Sequence, residues 1–139
     1  MKHPPSDFNK LCARLRKLHD LRSVSGLLGW DEQVNLPSGS GALRSEQLAL
    51  MSEVCHREAA SPALGRLIER LEKNDSLSPD ERRVVEVARL EFDEAAKLPG
   101  RFVREKTEGD SRAFQAWQAA RSSGRFADFE PFLRRQVDA

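Results

Sequence analysis

The sequence predicts an all-α fold of six to seven helices in an antiparallel helical array. Three observations carry this. Apolar residues recur at three- and four-residue spacing in one segment after another. No stretch alternates at period two for long enough to make a strand. Leu and Ala supply most of the apolar content, and Tyr is absent, which is a helix former's palette. At 139 residues the chain fits a single helical domain, 1–139, large enough to bury a core.

Each element follows from local signals. Ser6, after Pro4-Pro5, caps a first helix, and Phe8, Leu11, Leu15, Leu18 and Leu21 lie along it as far as Leu28. The periodicity then lapses, and Pro37, Gly39 and Gly41 predict a long loop over about 29–42. Loops of that length are often functional or mobile. A second helix starts near Leu43 and carries Leu48, Met51, Val54 and Cys55. Ser61-Pro62 opens a third helix, with Leu64, Leu67, Ile68 and Leu71 as its apolar stripe and Asn74-Asp75 as its end. Ser78-Pro79-Asp80-Glu81 is a capping box, and Val84, Val85, Ala88, Phe92 and Ala95 follow it. Leu98-Pro99-Gly100 interrupts the pattern. Helix resumes from Phe102 to Ser122 with Ala113, Ala116, Trp117 and Ala120 on one side, and Gly109-Asp110 weakens or splits it. A last segment places Phe129, Phe132, Leu133 and Val137 at helical spacing and reaches Ala139 with no capping signal, which suggests a longer parent.

Composition excludes several functions. Lys and Arg total 23 against 22 Asp and Glu, so there is no cationic field for nucleic acid. The doublets Arg82-Arg83 and Arg134-Arg135 lack interleaved aromatics. No apolar run approaches the roughly 20 residues that cross a bilayer, so no membrane association is expected. Met1 to Pro5 leads into no apolar segment, so no signal peptide is read. Cys12 and Cys55 are too far apart for a CxxC pair and read as reduced core thiols, which places the chain in the cytoplasm.

The chemistry-bearing residues are sparse. His3, His19 and His56 are nowhere four apart, and none is followed by Glu, so no zinc-protease helix is present. Cys55 and His56 are neighbours about 100° apart on a helix, read as a core thiol and a surface imidazole. Ser38-Gly39-Ser40-Gly41 lacks the Gly-Lys-Ser/Thr of a phosphate-binding loop, and no Gly-x-Ser-x-Gly elbow occurs. Glu91, Asp93 and Glu94 read as a solvated face. The corner at Trp30-Asp31, with Arg44 beyond the loop, is the notable feature. It reads structurally as Asp31 pairing with Arg44 or capping a helix over a buried Trp30. It reads functionally as the border of a substrate cleft.

This corner carries a resemblance. Leu27-Leu28-Gly29-Trp30-Asp31, then Leu36-Pro37-Ser38-Gly39, then Arg44-Ser45-Glu46-Gln47-Leu48-Ala49, resembles the carboxypeptidase Taq family of metallocarboxypeptidases. Leu36 stands where the family usually has Met, a volume-conserving change. His19-Asp20-Leu21, Ala116-Trp117, Ala120-Arg121 and Phe126 to Phe132 are also similar to the family's N-terminal helices. The resemblance implies the N-terminal part of a larger helical metallopeptidase fold. Family members are cytoplasmic, commonly dimeric, and remove single amino acids from peptide C-termini. Their zinc or cobalt is held by a His-Glu-x-x-His helix and a downstream Glu, for which this chain has no counterpart.

The implied expectations are these. No catalytic or metal-ligating residue is assigned, no cofactor is bound by this chain, and the chain is non-catalytic alone. Trp30, Asp31 and Arg44 carry over as motif positions with no role assigned. Peptide substrate is met only in the full-length context, where this piece lines or covers the cleft. The chain is then a fragment, a proteolytic product or a truncated gene product. The alternative is a free-standing interaction or dimerisation module. Both expect apolar surface left exposed and a partner for it, either the missing catalytic part or a second copy, with self-association expected through the Phe129, Phe132, Leu133 and Val137 face.

Overall fold

The computed structural model describes residues 6–138. Among them are six α-helices, one short 3-10 turn and no strand. In chain order these are α1 (Asp7–Val34), α2 (Gly41–Ala59), α3 (Pro62–Glu72), α4 (Pro79–Ala96), α5 (Gly100–Ser123), the turn Phe126–Asp128, and α6 (Glu130–Val137).

The capping signals act as their sequences dictate. The Ser6 hydroxyl accepts from the Asn9 amide at 3.2 Å, and that of Ser61 from the Leu64 amide at 3.2 Å. At α4 the box is complete. Ser78 Oγ accepts from the Glu81 amide, and the Glu81 carboxylate accepts from the Ser78 amide at 2.9 Å. Gly109 neither ends nor splits α5.

The expected loop over about 29–42 is corrected. Helix α1 runs on through Gly29 to Val34, and only residues 35–40 connect it to α2. Two helical glycines cost about 1 kcal/mol each relative to alanine. Polar anchors downstream offset that cost, as described below. The reversal itself is tight. The Ser40 amide donates to the Pro37 carbonyl at 3.1 Å, and Gly39 takes a φ of 87°, a conformation that other residues rarely adopt.

The contacts divide the chain into two compact units. The first comprises the chain up to Ser23 together with Val54–Gly100. Its core is Leu11, Leu64, Leu67, Ile68, Leu71, Val85 and Ala88, flanked by Phe8, Leu15, Leu77 and Phe92. Gly65 makes this packing possible, since a Cβ there would meet the Phe92 ring at 2.7 Å. Ion pairs decorate its surface: Asp7 with Arg70 at 2.8 Å, Lys17 with Glu58 at 2.8 Å, and Arg89 in a two-pronged pair with Glu72 at 2.9 Å. Arg70 foremost, with Lys10, holds the Asp7 carboxyl at about 2, and Lys17 and Arg89 lower those of Glu58 and Glu72. Cys12 and Cys55, expected in the core, are only half-buried, and burial pushes the Cys55 thiol up. His56 is half-buried, where a surface position was expected.

The second unit comprises Val24–Glu53 and the chain from Arg101 on. Leu48, Ala49, Ala113 and Ala120 are buried in it, together with Ser45, Ser111 and Glu32. Phe114 and Trp117 stack with ring centres 6.0 Å apart, and Arg121 covers the Trp117 ring.

Candidate functional site

The motif corner lies in the second unit, and α1 and α2 build it. Asp31 and Arg44 meet at 2.6 Å. Arg44 is largely buried and uses its other donors too. It donates to the Leu28 carbonyl at 2.8 Å and to Gln47 Oε1 at 3.0 Å. One guanidinium thus holds the end of α1 to the start of α2 through Asp31 and the Leu28 carbonyl, while Gln47 on α2 steadies it, a use of its fixed fork that lysine could not copy. Trp30 does not fill the core beneath, because the opposite helix face supplies the packing. It is 56% exposed.

One turn on, sequence reasoning missed a buried polar cluster. Ser111 Oγ donates to Glu32 Oε1, and Ser111 and Ser45 hydroxyls lie 2.8 Å apart. Gln115 Nε2 donates to the Gly41 carbonyl at 3.0 Å and reaches Glu32 Oε1 at 3.3 Å. The hydrogens can be counted. Ser111 has one, given to Glu32, so toward Ser45 it is an acceptor, and the single Ser45 hydrogen is shared between Ser111 and the Gly41 carbonyl at 3.0 Å. Among the described residues no buried side-chain polar atom lacks a partner. This cluster ties α1, α2 and α5 within the unit. Glu32 continues a seven-residue register with Leu11, Leu18 and Ser25 along α1, and that register was the signal available in the sequence.

A groove of about 650 Å³ opens beside α5 and α6, with Phe102 and Phe132 in its wall and Lys106, Asp110, Arg112 and Arg135 at its edge. Most of these charges are already paired: Lys106 with Asp110 at 2.7 Å and Arg112 with Glu108. None of Trp30, Asp31 or Arg44 lines it. It contains no nucleophile with a base beside it.

Nearly all of the described chain fits one known pattern. A model of the carboxypeptidase Taq (M32) metallopeptidase family matches residues 10–139. The chain belongs to that family. It is 30% identical over 130 residues to thermostable carboxypeptidase 1 of Pyrococcus furiosus, covering 94% of this chain and 26% of that protein. It is 27% identical over 125 residues to carboxypeptidase 1 of Bacillus subtilis, covering 89% of this chain and 25% of that one. The crystal structure of BsuCP superposes with a TM-score of 0.89 at 26% identity, covering 95% of this chain and 27% of that chain. The M32 chain described here therefore spans about a quarter of the length of the relatives it matches.

Metallopeptidase chemistry needs a metal held by several ligands at once. Among the described residues no group of three or more His, Cys, Asp or Glu side chains is arranged to hold one. His19 is exposed, and His56 sits beside Gly100. Glu91 of the expected solvated face is exposed and paired with Arg22 at 3.1 Å. His3 lies outside the described residues. The described residues of this M32 chain do not fit a zinc or cobalt site.

Proposed function

We propose that this chain is the N-terminal helical part of a metal-dependent carboxypeptidase that removes C-terminal amino acids from peptides. In that enzyme it lines or covers the substrate cleft, and the zinc or cobalt ligands lie in the part of the parent that this sequence does not include. Alone, the chain does not catalyse. The observation that carries this reading is the family match over residues 10–139 at only about a quarter of the relatives' length. The Asp31–Arg44 corner supports it as a rigid edge: a guanidinium with three acceptors holds position, and its carboxylate partner is already engaged. A cytoplasmic location and a homo-oligomeric parent belong to the same reading. No described helix is long and apolar enough to cross a membrane.

The test is release of the C-terminal amino acid from a blocked dipeptide in the presence of zinc or cobalt. Natural Bacillus subtilis carboxypeptidase 1 serves as the positive control. The lone chain is expected to release nothing above the metal blank. Metal-dependent release that co-purifies with it would overturn the reading.

A further inference from the structure

The second unit leaves an apolar stripe on α1 that its own core does not use. Val24, Leu27, Trp30 and Val34 are 48%, 63%, 56% and 60% exposed. At 100° per residue the four fall within about 120° of one another, one continuous face over three turns. Glu32, which faces the buried cluster, lies well away from that face. Soluble proteins rarely leave such contiguous apolar area to water without a partner. Helix α4 also exposes Val84, Val87 and Leu90. The α1 stripe is set apart by its tryptophan and by four side chains each about half or more exposed, where Val84 and Val87 of α4 are 36% and 38% exposed. A motif tryptophan that its own unit does not bury packs on something else.

We propose that the Val24–Leu27–Trp30–Val34 face of α1 is the surface on which the remaining helical part of the parent carboxypeptidase docks. This rests on the proposed function. The occupant follows from length: relatives of the same fold are nearly four times as long as the segment they share with this chain, so most of such a protein has still to be placed against it. Interdomain docking favours large apolar anchors that are exposed in the isolated piece, and Trp30 with Leu27 supplies them.

The experiment joins this chain to Bacillus subtilis carboxypeptidase 1 in place of its matching N-terminal quarter. Side-chain oxidation by hydroxyl radicals is then compared in the lone chain and in the chimera, each normalised to the unfolded polypeptide. Trp30 and Leu27 are expected to react freely in the lone chain and to lose most of that reactivity in the chimera. Reactivity unchanged in a chimera that hydrolyses dipeptide would overturn the docking surface and leave the proposed function standing. A folded chimera without hydrolysis would count against the proposed function instead. Should the chimera not fold, the natural Bacillus enzyme is footprinted at the positions aligned with Leu27 and Trp30. Protection there supports the proposal, and free reaction overturns it. A second readout uses Leu27→Gln with Trp30→Gln in the lone chain, which is expected to melt as the parent chain does. A concentration-dependent dimer of the lone chain that this double variant abolishes would assign the stripe to a second copy and overturn the docking assignment.

Discussion

In the first unit the side chains with no contact with solvent are aliphatic: Leu11 and Ile68 at 0%, with Leu71 and Val85 at 2%. In the second unit Ala49, Ala113, Ala120 and Leu48 share the interior with Ser45 at 0%, Ser111 at 5% and Glu32 at 9%, while Trp30, Leu27 and Val34 stand in water. The first unit is held by non-directional burial, so its cost of damage scales with volume removed. The second adds directional donors and acceptors to a smaller apolar interior, so there the cost of damage also depends on which partner is left alone. The unit with the more polar interior is also the one that exposes the Val24, Leu27, Trp30 and Val34 stripe.

The largest expected effect tests the first half of that contrast. Ile68→Ala removes a fully buried side chain and is expected to cost about 2–5 kcal/mol in urea unfolding. A loss below about 1 kcal/mol would mean that the leucine core is loosely packed.

Next comes the polar cluster. Ser111→Ala deprives Glu32 of its hydroxyl donor and is expected to cost about 1–3 kcal/mol. Adding Glu32→Met should recover most of that loss, because removing both partners leaves nothing unsatisfied. If the double variant is as unstable as the sum of the singles, the directional account of this unit is wrong.

A smaller effect is expected at the corner. Arg44→Ala breaks two hydrogen bonds and an ion pair, but Asp31 is about a third exposed and water replaces part of what is lost. About 1–2 kcal/mol is expected, with Asp31→Ala below it. A melting temperature unchanged in both would move this corner from a structural role toward a direct role at the cleft.

The smallest is a dependence on acid. Asp7, Glu58 and Glu72 all have carboxyls lowered in the folded chain, so the unfolded chain binds protons more readily. The stability these groups contribute is present above their ordinary range of 3.8 to 4.5 and fades as pH falls toward about 2. All three belong to the first unit and are solvated. The drop in melting temperature is therefore expected to be modest and to shrink with added salt. A melting temperature that rises on acidification would contradict the pairing.

What the sequence disclosed follows the same division. Ser61-Pro62 and the Ser78 box announce α3 and α4 because capping is local, and the stripe Leu64, Leu67, Ile68, Leu71 announces the core those helices share. The end of α1, Gly29 to Val34, reads as loop in the sequence because its inward register passes from Leu18 to the half-buried Ser25 and to Glu32, which an apolar periodicity cannot follow. The cluster itself joins residues 79 positions apart, and nothing near Glu32 or Ser111 in the chain reports on the other. Trp30 misled for the opposite reason, since a large aromatic is normally read as core and this one is an outer face. The Asp31–Arg44 pair is legible, although the sequence reads the connection as too long, because two opposite charges lie at the two sides of one helix-breaking segment.

The most direct measurement is metal-dependent dipeptide hydrolysis by the chimera that carries this chain in place of the N-terminal quarter of Bacillus subtilis carboxypeptidase 1. The account expects hydrolysis with zinc or cobalt by the chimera and none by the chain alone. A folded chimera that binds metal and releases no amino acid would contradict it.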